Sequence, residues 1–407
     1  MKILGVLCLG VVGCLALTLD ESIERVFANS HKIKEQEYLL LKLQSELGVK
    51  ESAYYPKLNF HYRFGAKNAE YGNRASVELG LNLFNGLKDY QEVQIQKQTI
   101  QEQEANKKRT QEELRYLVKK LYVQILMTKG RLAISKESYK LLELQLKQAE
   151  QFYKQGISAK NNVLSVELTL ASAKLEINSY TNQLNFLVSS LESLMNAKVK
   201  IDEIEDLPVC EEEVDYDHLS LVMFEHKPRY RAMLEREKAL LYRIEQAKGG
   251  YYPKIDLGVS GDVPFGGKLY GEAQGSVYLG LTWNLFNGLG DSASVEMRRY
   301  ELMSLRAQMT AYRQDALIEL EKAVGDFNLA RDQYVLSKKT IESANENYRI
   351  VSNRYKQNLQ SSNDLLDAEL MLKNAKSNLL KTKYETWESL FYVEFLVGGN
   401  RQLFIGF

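Results

Sequence analysis

The sequence has little proline, little cysteine and no net charge. Its 407 residues include only five prolines and three cysteines, and its 53 acidic side chains balance 53 basic ones. This balance gives no argument for nucleic acid or for another strongly charged partner. Because proline breaks a helix interior, its scarcity leaves room for very long helices.

Enzyme signatures are also missing. The sequence has no nucleotide-binding glycine loop, no G-x-S-x-G motif and no histidine or cysteine pair at metal-ligand spacing. His218 and His226 could share a helix face but form no metal motif, and the acidic cluster 211–217 has the composition of a solvated linker. We therefore expect no enzyme, no cofactor and no metal site.

The N-terminus has the pattern of an export signal. A basic start is followed by the apolar stretch Ile3 to Val12, which is too short to span a bilayer as a helix. Val11-Val12-Gly13-Cys14 resembles a lipobox that would leave a lipidated Cys14, whereas Cys14-Leu15-Ala16 fits an ordinary cleavage site after residues 1–16. Either cleavage leaves Cys210 without a disulfide partner inside the chain, so we expect a free thiol in a loop.

Two proline-free runs carry the spacing of very long helices. In residues 87–155, apolar or small side chains recur at alternating steps of four and three from Leu114 onwards, and residues 289–357 repeat this register from Ala316 onwards. This is the heptad seam of a coiled coil. At ~1.5 Å per residue, each run predicts a helix of roughly 100 Å. A cytoplasmic coiled-coil scaffold would show the same seam. The segments that precede each long helix therefore decide whether the chain is such a scaffold.

Each long run follows two segments in which apolar and polar residues alternate. These β-hairpins lie within 57–84 and 254–286, with connecting loops expected at 66–74 and 263–271. Strands of about nine to ten residues are long enough to cross a hydrocarbon layer when tilted, although a soluble sheet would alternate in the same way. The predicted apolar face contains Leu58, Phe60, Tyr62, Phe64, Val77, Leu79, Leu81, Leu83, Ile255, Leu257, Val259, Val277, Leu279, Leu281 and Trp283. The predicted polar face, suited to a water-filled bore, contains Asn59, His61, Arg63, Ser76, Glu78, Asn82, Asp256, Ser260 and Thr282.

The same order of elements occurs twice, which indicates a tandem duplication. After the signal peptide (1–16), the predicted segments are a first repeat of helix, hairpin, long helix, tip and return helix (17–195), a surface linker (196–217), a second repeat (218–398) and a tail (399–407). Four strands cannot close a barrel, and an open sheet edge is not tolerated in lipid. Three chains would supply twelve strands, which predicts a tube.

Short motifs recur in a fixed order along the chain. They are Thr18-Leu19-Asp20-Glu21, Pro56-Lys57-Leu58, Asn85-Gly86, Lys227-Pro228-Arg229-Tyr230, Pro253-Lys254-Ile255 and Asn287-Gly288. In this order and in duplicate they make the chain resemble the TolC family of outer-membrane efflux and secretion channels. The resemblance implies a mostly α fold with a transmembrane β-barrel portion. It implies a homotrimer whose 12-stranded barrel continues into a periplasmic α-helical coiled-coil barrel.

The resemblance also implies a location and a function. The chain would lie in outer-membrane lipid of a Gram-negative bacterium, with a long periplasmic extension, as the exit duct of a tripartite efflux pump or a type I secretion system. It would export drugs, bile-type compounds, metals or proteins. A periplasmic adaptor (membrane fusion) protein and an inner-membrane transporter of RND or ABC type would open the periplasmic tip by docking. The alternative is a structural or adhesive envelope protein that uses its barrel only as an anchor.

The family's tip pattern resembles Tyr-x-x-Gly-x-x-Ser-x-x-Asp-Val-Leu. The first tip keeps Tyr153 and Gly156 but has Asn162 at the Asp position. The second keeps Tyr355 but has Asn358 at the Gly position, and asparagine tolerates the left-handed conformation that a helix end requires. The tip and gating contacts implied by the resemblance are Tyr153, Asn162, Tyr355, Asn358 and Gln360.

The second tip keeps the acidic residue of the pattern as Asp364 and carries a second one, Asp367, directly after the pattern. By resemblance, Asp364 and Asp367 are candidates for an acidic ring at the periplasmic aperture. A threefold axis would bring six carboxylates together, where like charges repel and attract cations. The alternative is that both face solvent at a helix start, where acidic residues are favoured anyway.

Overall fold

The computed structural model of the chain describes residues 17–68, 70–210, 212–267 and 269–399. Cys14, the predicted lipidation site, lies outside the described residues, as do the predicted signal peptide and the tail beyond Gly399. The chain divides into two compact units. Unit 1 contains the described residues up to His31, Thr110–His226 and the residues from Ala316 onwards, and unit 2 contains Lys32–Arg109 and Lys227–Asp315.

Helices dominate the described residues, and they occur in the same order in both halves of the chain. The helices are α1 (Leu19–Asn29), α2 (His31–Glu51), α3 (Lys88–Lys154), α4 (Lys160–Met195), α5 (Tyr216–His226), α6 (Pro228–Lys248), α7 (Gly290–Lys356) and α8 (Ser362–Leu396). The strands are β1 (Lys57–Lys67), β2 (Glu70–Asn85), β3 (Lys254–Phe265) and β4 (Gln274–Thr282). Over the described ranges, no helix combines the length and the apolar character needed to cross a membrane.

The two longest helices, α3 and α7, contain 67 residues each and begin in the same way. Gly86 and Leu87 before α3, and Gly288 and Leu289 before α7, have positive φ angles between 54° and 71°. A Cβ atom at Gly86 would lie 2.3 Å from the carbonyl oxygen of Gly249, so this position requires glycine. The duplicated Asn-Gly-Leu sequence therefore produces the same turn twice.

The sequence predicts one helix from Thr18 to Ala53, whereas the structure has two. Thr18 caps α1 as expected, since its hydroxyl accepts a hydrogen bond from the backbone N–H of Glu21 at 3.2 Å. Ser30 then leaves the helical conformation with a ψ of 124°, and α2 starts at the next residue. Asparagine and serine weaken the helix at this point because their side chains compete for backbone hydrogen bonds.

The four strands form one antiparallel sheet in the order β1-β2-β3-β4. Only residues 68–69 separate β1 from β2, so most of the segment 66–74 is strand rather than the predicted loop. Backbone pairing between β1 and β2 continues to Lys67 and Glu70, beyond the residues in which apolar and polar side chains alternate clearly. β4 ends at Thr282, so Trp283 lies beyond the strand in which it was predicted, and its indole N–H donates to the carbonyl oxygen of Tyr251 at 3.1 Å.

The two faces of the sheet differ in chemistry, as the alternation predicts. On one face Phe60 lies opposite Val77, and the two side chains are 68% and 47% exposed in the single chain. On the other face, Ser260 and Ser276 lie opposite each other with their hydroxyl oxygens 2.8 Å apart. The sheet therefore presents an uncovered apolar surface on one side and polar groups on the other.

A buried ion pair joins α3 to α8 in unit 1. The ammonium of Lys119 donates to both carboxylate oxygens of Glu394, at 2.6 and 2.7 Å. It also lies 4.8 Å from the ring centroid of Phe391. The two charged side chains are 8% and 6% exposed. Because buried charges are costly unless they are paired, this contact favours one alignment of the two helices.

The described part of the predicted surface linker 196–217 belongs to unit 1 and is hydrogen-bonded to α3. The hydroxyl group of Tyr122 donates to the carbonyl oxygens of Leu17 at 2.9 Å and Glu205 at 2.7 Å. Cys210 forms no disulfide within the described residues, and it is buried. Side chains of the long helices thus satisfy the backbone groups of a segment whose polar composition favours solvent.

In unit 2, α6 packs on the first half of α7. Pro228 occupies the start of α6, where its missing N–H costs nothing. The guanidinium group of Arg229 lies 4.6 Å from the ring centroid of Tyr312 on α7. The buried apolar cluster between the helices contains Leu240, Ile244, Val295, Leu302, Leu305 and Met309.

We expect Lys119→Met to lower the free energy of unfolding by about 3–5 kcal/mol, because it leaves the Glu394 carboxylate buried and unpaired. Lys120 is the matched control. It pairs with Glu388 at 3.6 Å in a more exposed position, so Lys120→Met is expected to cost less than about 1 kcal/mol. Denaturant unfolding of the purified variants measures both values. Equal losses for the two variants would contradict a special role for the buried pair.

Candidate functional site at the helical tips

The first tip is the turn between α3 and α4. The backbone N–H of Gly156 donates to the carbonyl oxygen of Tyr153 at 3.0 Å, and Gly156 has a φ of +71°. This is the left-handed helix end expected of a glycine. The side-chain amide of Asn162 donates to the hydroxyl of Ser158 at 2.8 Å, so the residue that replaces the family's aspartate bonds within its own turn.

The second tip, between α7 and α8, closes with different side chains. Asn358 has a φ of +57°, and its N–H donates to the carbonyl oxygen of Tyr355 at 2.9 Å. Ser361 and Asp364 form a capping box: the Ser361 hydroxyl accepts from the Asp364 N–H at 3.2 Å, and the carboxylate accepts from the Ser361 N–H at 3.1 Å. Asparagine therefore adopts the left-handed conformation that the family pattern assigns to glycine.

The two tips contact each other through aromatic and aliphatic side chains. The rings of Phe152 and Tyr355 pack edge to face, with centroids 5.7 Å apart and an interplanar angle of 63°. Tyr355 is 4% exposed, and this burial raises the pKa of its hydroxyl. Leu366 of α8 packs on the cluster formed by Ala149, Val163 and Val166 of α3 and α4. Tyr355 thus joins the tips by packing.

The predicted aperture residues Asp364 and Asp367 lie one turn apart near the start of α8, and both are exposed in the single chain. The side chain and backbone N–H of Ser361 donate to Asp364 and lower the pKa of its carboxyl group, with a smaller contribution from Gln360. Asp364 therefore has a capping role within the chain. Tyr153 is 46% exposed. Tyr153 and Asp367 are accessible to another chain.

Glu369 on α8 was not predicted from the sequence. Its side chain is 5% exposed, the Ser138 hydroxyl donates to its Oε1 at 3.0 Å, and its Oε2 is buried without a hydrogen-bond partner. Burial raises the pKa of the Glu369 carboxyl group to about 7. The available signal was its spacing of four and three from Leu365 and Leu372, because an acidic residue at a buried heptad position is costly.

The surroundings of this carboxyl group are charged but locally balanced. Lys373 of α8 pairs with Glu176 of α4, and Lys376 pairs with Glu137 of α3 at 2.8 Å. The hydroxyl of Tyr348 on α7 also lies near enough for the carboxylate to raise its pKa, after burial. A cleft of about 320 Å³ opens between α3, α4 and α8 at this point. Among the residues that the structure describes, no group of three or more His, Cys, Asp or Glu could hold a metal ion.

Solved structures of outer-membrane channels share this fold. VceC from Vibrio cholerae matches with a TM-score of 0.80 at 15% identity, covering 94% of this chain and 96% of VceC. CmeC from Campylobacter jejuni has a TM-score of 0.79 at 16% identity, covering 94% and 85%. The open state of MtrE from Neisseria gonorrhoeae has a TM-score of 0.73 at 17% identity, covering 96% and 93%. The fold is that of a TolC-like channel protein.

The chain belongs to the family described as Outer membrane efflux protein, which matches residues 22–197 and again residues 224–399. No curated protein sequence gives a significant match. The double match confirms the tandem duplication, and it confirms the family resemblance that the sequence motifs indicate. The protein is therefore an efflux channel component of the outer membrane, not an enzyme.

The raised pKa of Glu369 predicts that unit 1 loses stability as the pH rises. The carboxyl group titrates near 4.5 when unfolded and about 7 when folded, so the folded state binds the extra proton between these values. The protonated Glu369 carboxyl group stabilises the folded state fully below about pH 4.5, and this stabilisation is lost as the pH rises through 7. At ~1.36 kcal/mol per pKa unit the loss is on the order of 3 kcal/mol.

Hydrogen exchange of α8 between pH 5 and pH 8, corrected for the intrinsic exchange rate, measures this effect. Glu369→Gln keeps the shape of the side chain but cannot ionise, so it is expected to remove the pH dependence. Glu167→Gln, at an exposed position on α4, is the control and is expected to retain it. A Glu369→Gln protein with the pH dependence of the unmodified chain would contradict the assignment.

Proposed function

We propose that three copies of this chain form the exit duct of a tripartite efflux pump, which passes small toxic compounds through the periplasm and the outer membrane. One observation carries the proposal. The sheet has an uncovered apolar face and a polar face, and each of its outer strands, β1 and β4, pairs with only one strand among the described residues. In a membrane, such a sheet leaves backbone N–H and C=O groups of both outer strands without partners.

The free strand edges favour assembly with other copies. In hydrocarbon, an unpaired backbone N–H or C=O group costs several kcal/mol, so β1 and β4 need partners. Pairing β4 of one copy with β1 of the next satisfies both edges without a new kind of contact. Three copies give twelve strands, enough to enclose a water-filled channel, whereas two copies give only the number that side chains can fill.

The polar face supports a role in transport rather than in anchorage. His61 and Glu78 lie 3.9 Å apart on this face, and Lys254 pairs with Asp256 at 3.0 Å. In a closed barrel these groups would line the bore, where water can solvate them. The connection between β1 and β2 is only two residues long, which disfavours an adhesive protein, because adhesion requires a large exposed part. A type I secretion duct would use the same architecture, and the docked transporter would determine the cargo.

The tips supply the partner-dependent step. We assign docking of a periplasmic adaptor protein and an inner-membrane transporter to this end of the chain, and opening to movement of the tip helices. The Phe152–Tyr355 contact joins the two tips, and the capping box at Ser361 stabilises the second one. Tips joined in this way can move together without unfolding, which suits a gate opened by an external partner.

The decisive experiment combines the mass of the detergent-solubilised protein with single-channel recording in planar bilayers. The proposal requires a particle of three chains and discrete conductance steps that close slowly or remain small without partners. A monomeric particle without channel activity would refute it. Co-purification of an adaptor encoded beside the gene would support the tripartite assignment, and an active channel without any such partner would leave only a passive pore.

If Asp367 forms the acidic ring, Asp367→Asn is expected to lower the preference for cations over anions, because it removes one negative charge per copy from the aperture. Asp364→Asn is expected to act on selectivity and also to weaken the capping box, so the single Asp367 variant gives the cleaner result. Asp332→Asn, at an exposed position on α7, is the control. Reversal potentials in a salt gradient measure selectivity. Identical reversal potentials for Asp367→Asn and the unmodified channel would rule out the ring.

A further inference from the structure

Two residues between β3 and β4 turn back over the first hairpin. The Nη2 group of Arg74 on β2 donates to the carbonyl oxygen of Tyr270 at 2.9 Å, and the Arg74 guanidinium lies 5.0 Å from the centroid of the Tyr270 ring. The neighbouring Leu269 is half-buried, as is Tyr270. A hydrogen bond and a cation–π contact to one arginine fix both the backbone and the side chain of Tyr270.

Glycines on the two underlying strands make room for this contact. Gly65 of β1 and Gly72 of β2 are direct partners in the sheet. A Cβ atom at Gly65 would lie 2.2 Å from the hydroxyl oxygen of Tyr270, and one at Gly72 would lie 3.1 Å from its ring and 3.2 Å from the Cβ of Leu269. Gly72 is buried although it lies near the end of the hairpin. Any larger residue would push the two side chains away from the sheet.

The contact lies on the polar face and at the end of the sheet that is far from the helices. Side chains alternate along a strand, so Gly65 lies on the same face as His61, and Arg74 lies on the same face as Ser76 and Glu78. All helices join the sheet at the opposite ends of the strands, at Lys57, Asn85, Lys254 and Thr282. The two side chains therefore cover the polar face at its outer end.

We propose that Leu269 and Tyr270 form a constriction at the outer mouth of the duct and thereby determine the size of the solutes that cross it. The inference rests on the proposed trimeric channel, in which the polar face lines the bore and each copy contributes one Leu269 and one Tyr270. Six bulky side chains, two from each copy, are held against the wall and narrow the mouth at a fixed position. Anchoring to Arg74 keeps them in place without help from the adaptor or the transporter at the other end.

Two variants test the constriction by independent routes. Tyr270→Ala removes the ring, and Gly65→Ala places a methyl group where the ring lies. Because a pore's conductance is limited by its narrowest part, both are made in a Tyr355→Ala background, which removes the aromatic contact that joins the tips. In that background both are expected to raise single-channel conductance by roughly twofold or more relative to Tyr355→Ala alone. In cells that carry this protein, both variants are expected to increase sensitivity to vancomycin, a glycopeptide too large for ordinary entry through the outer membrane.

Gly80→Ala is the matched control. Gly80 lies on the same face of β2, and a Cβ atom there would meet nothing within 4 Å, so its conductance and vancomycin sensitivity are expected to stay unchanged. The amount of trimer in the outer membrane is compared first, so that loss of folding is not read as opening. Tyr270→Ala channels with the same conductance as Tyr355→Ala alone would overturn the constriction while leaving the duct intact. An unmodified protein that forms no channel would overturn the duct itself.

Discussion

A β-sheet in hydrocarbon must pair its backbone N–H and C=O groups, and this requirement determines most of what the chain needs from its surroundings. Within the chain, β2 and β3 are paired on both sides, whereas β1 and β4 are paired on one side only. Four strands could remove both free edges only by closing into a barrel that is too narrow to leave a bore. The apolar face and the free edges therefore both support the proposed assembly with identical copies in lipid.

The duplication gives the two halves of the chain the same elements, and the positions at which the halves differ are informative. The Asn-Gly-Leu turns before α3 and α7 have nearly the same backbone angles. The tips, in contrast, have diverged: Gly156 ends α3, whereas Asn358 ends α7 and is followed by a capping box. The second tip is thus the more tightly bonded of the two, and it is the one that carries the pair of exposed aspartates.

The local pattern of the sequence was sufficient to predict the two faces of the sheet and the long helices. The alternation from Leu58 to Phe64 and the heptad spacing from Leu114 onwards are properties of neighbouring residues, which is why they could be interpreted without a structure. Pairs that are distant in the chain could not be predicted in this way. Lys119 and Glu394 are 275 positions apart, and each alone has the appearance of a solvated residue on a helix. Tyr270 and Arg74 likewise meet only through the register of the sheet.

In the candidate site, too, features determined by single residues could be predicted, whereas features determined by packing could not. Sequence pattern located the tips and the left-handed ends at Gly156 and Asn358, because single residues determine those conformations. It did not locate Glu369, since whether an acidic residue at a seam position is buried depends on which helices pack around it. It also did not predict the hydrogen bond from the Tyr122 hydroxyl to the carbonyl oxygen of Glu205, whose side chain is exposed in the linker.

The hydrogen bonds of Leu17 also have a consequence for the order of folding. Leu17 forms a parallel bridge with Ile204, its N–H donates to the carbonyl oxygen of Glu203 at 2.6 Å, and the Tyr122 hydroxyl binds the carbonyl oxygens on both sides of that bridge. The whole first repeat separates these partners along the chain, so closing this loop requires many other contacts to form beforehand. We therefore expect Leu17, the first described residue, to become fixed late, after the rest of the first repeat has folded.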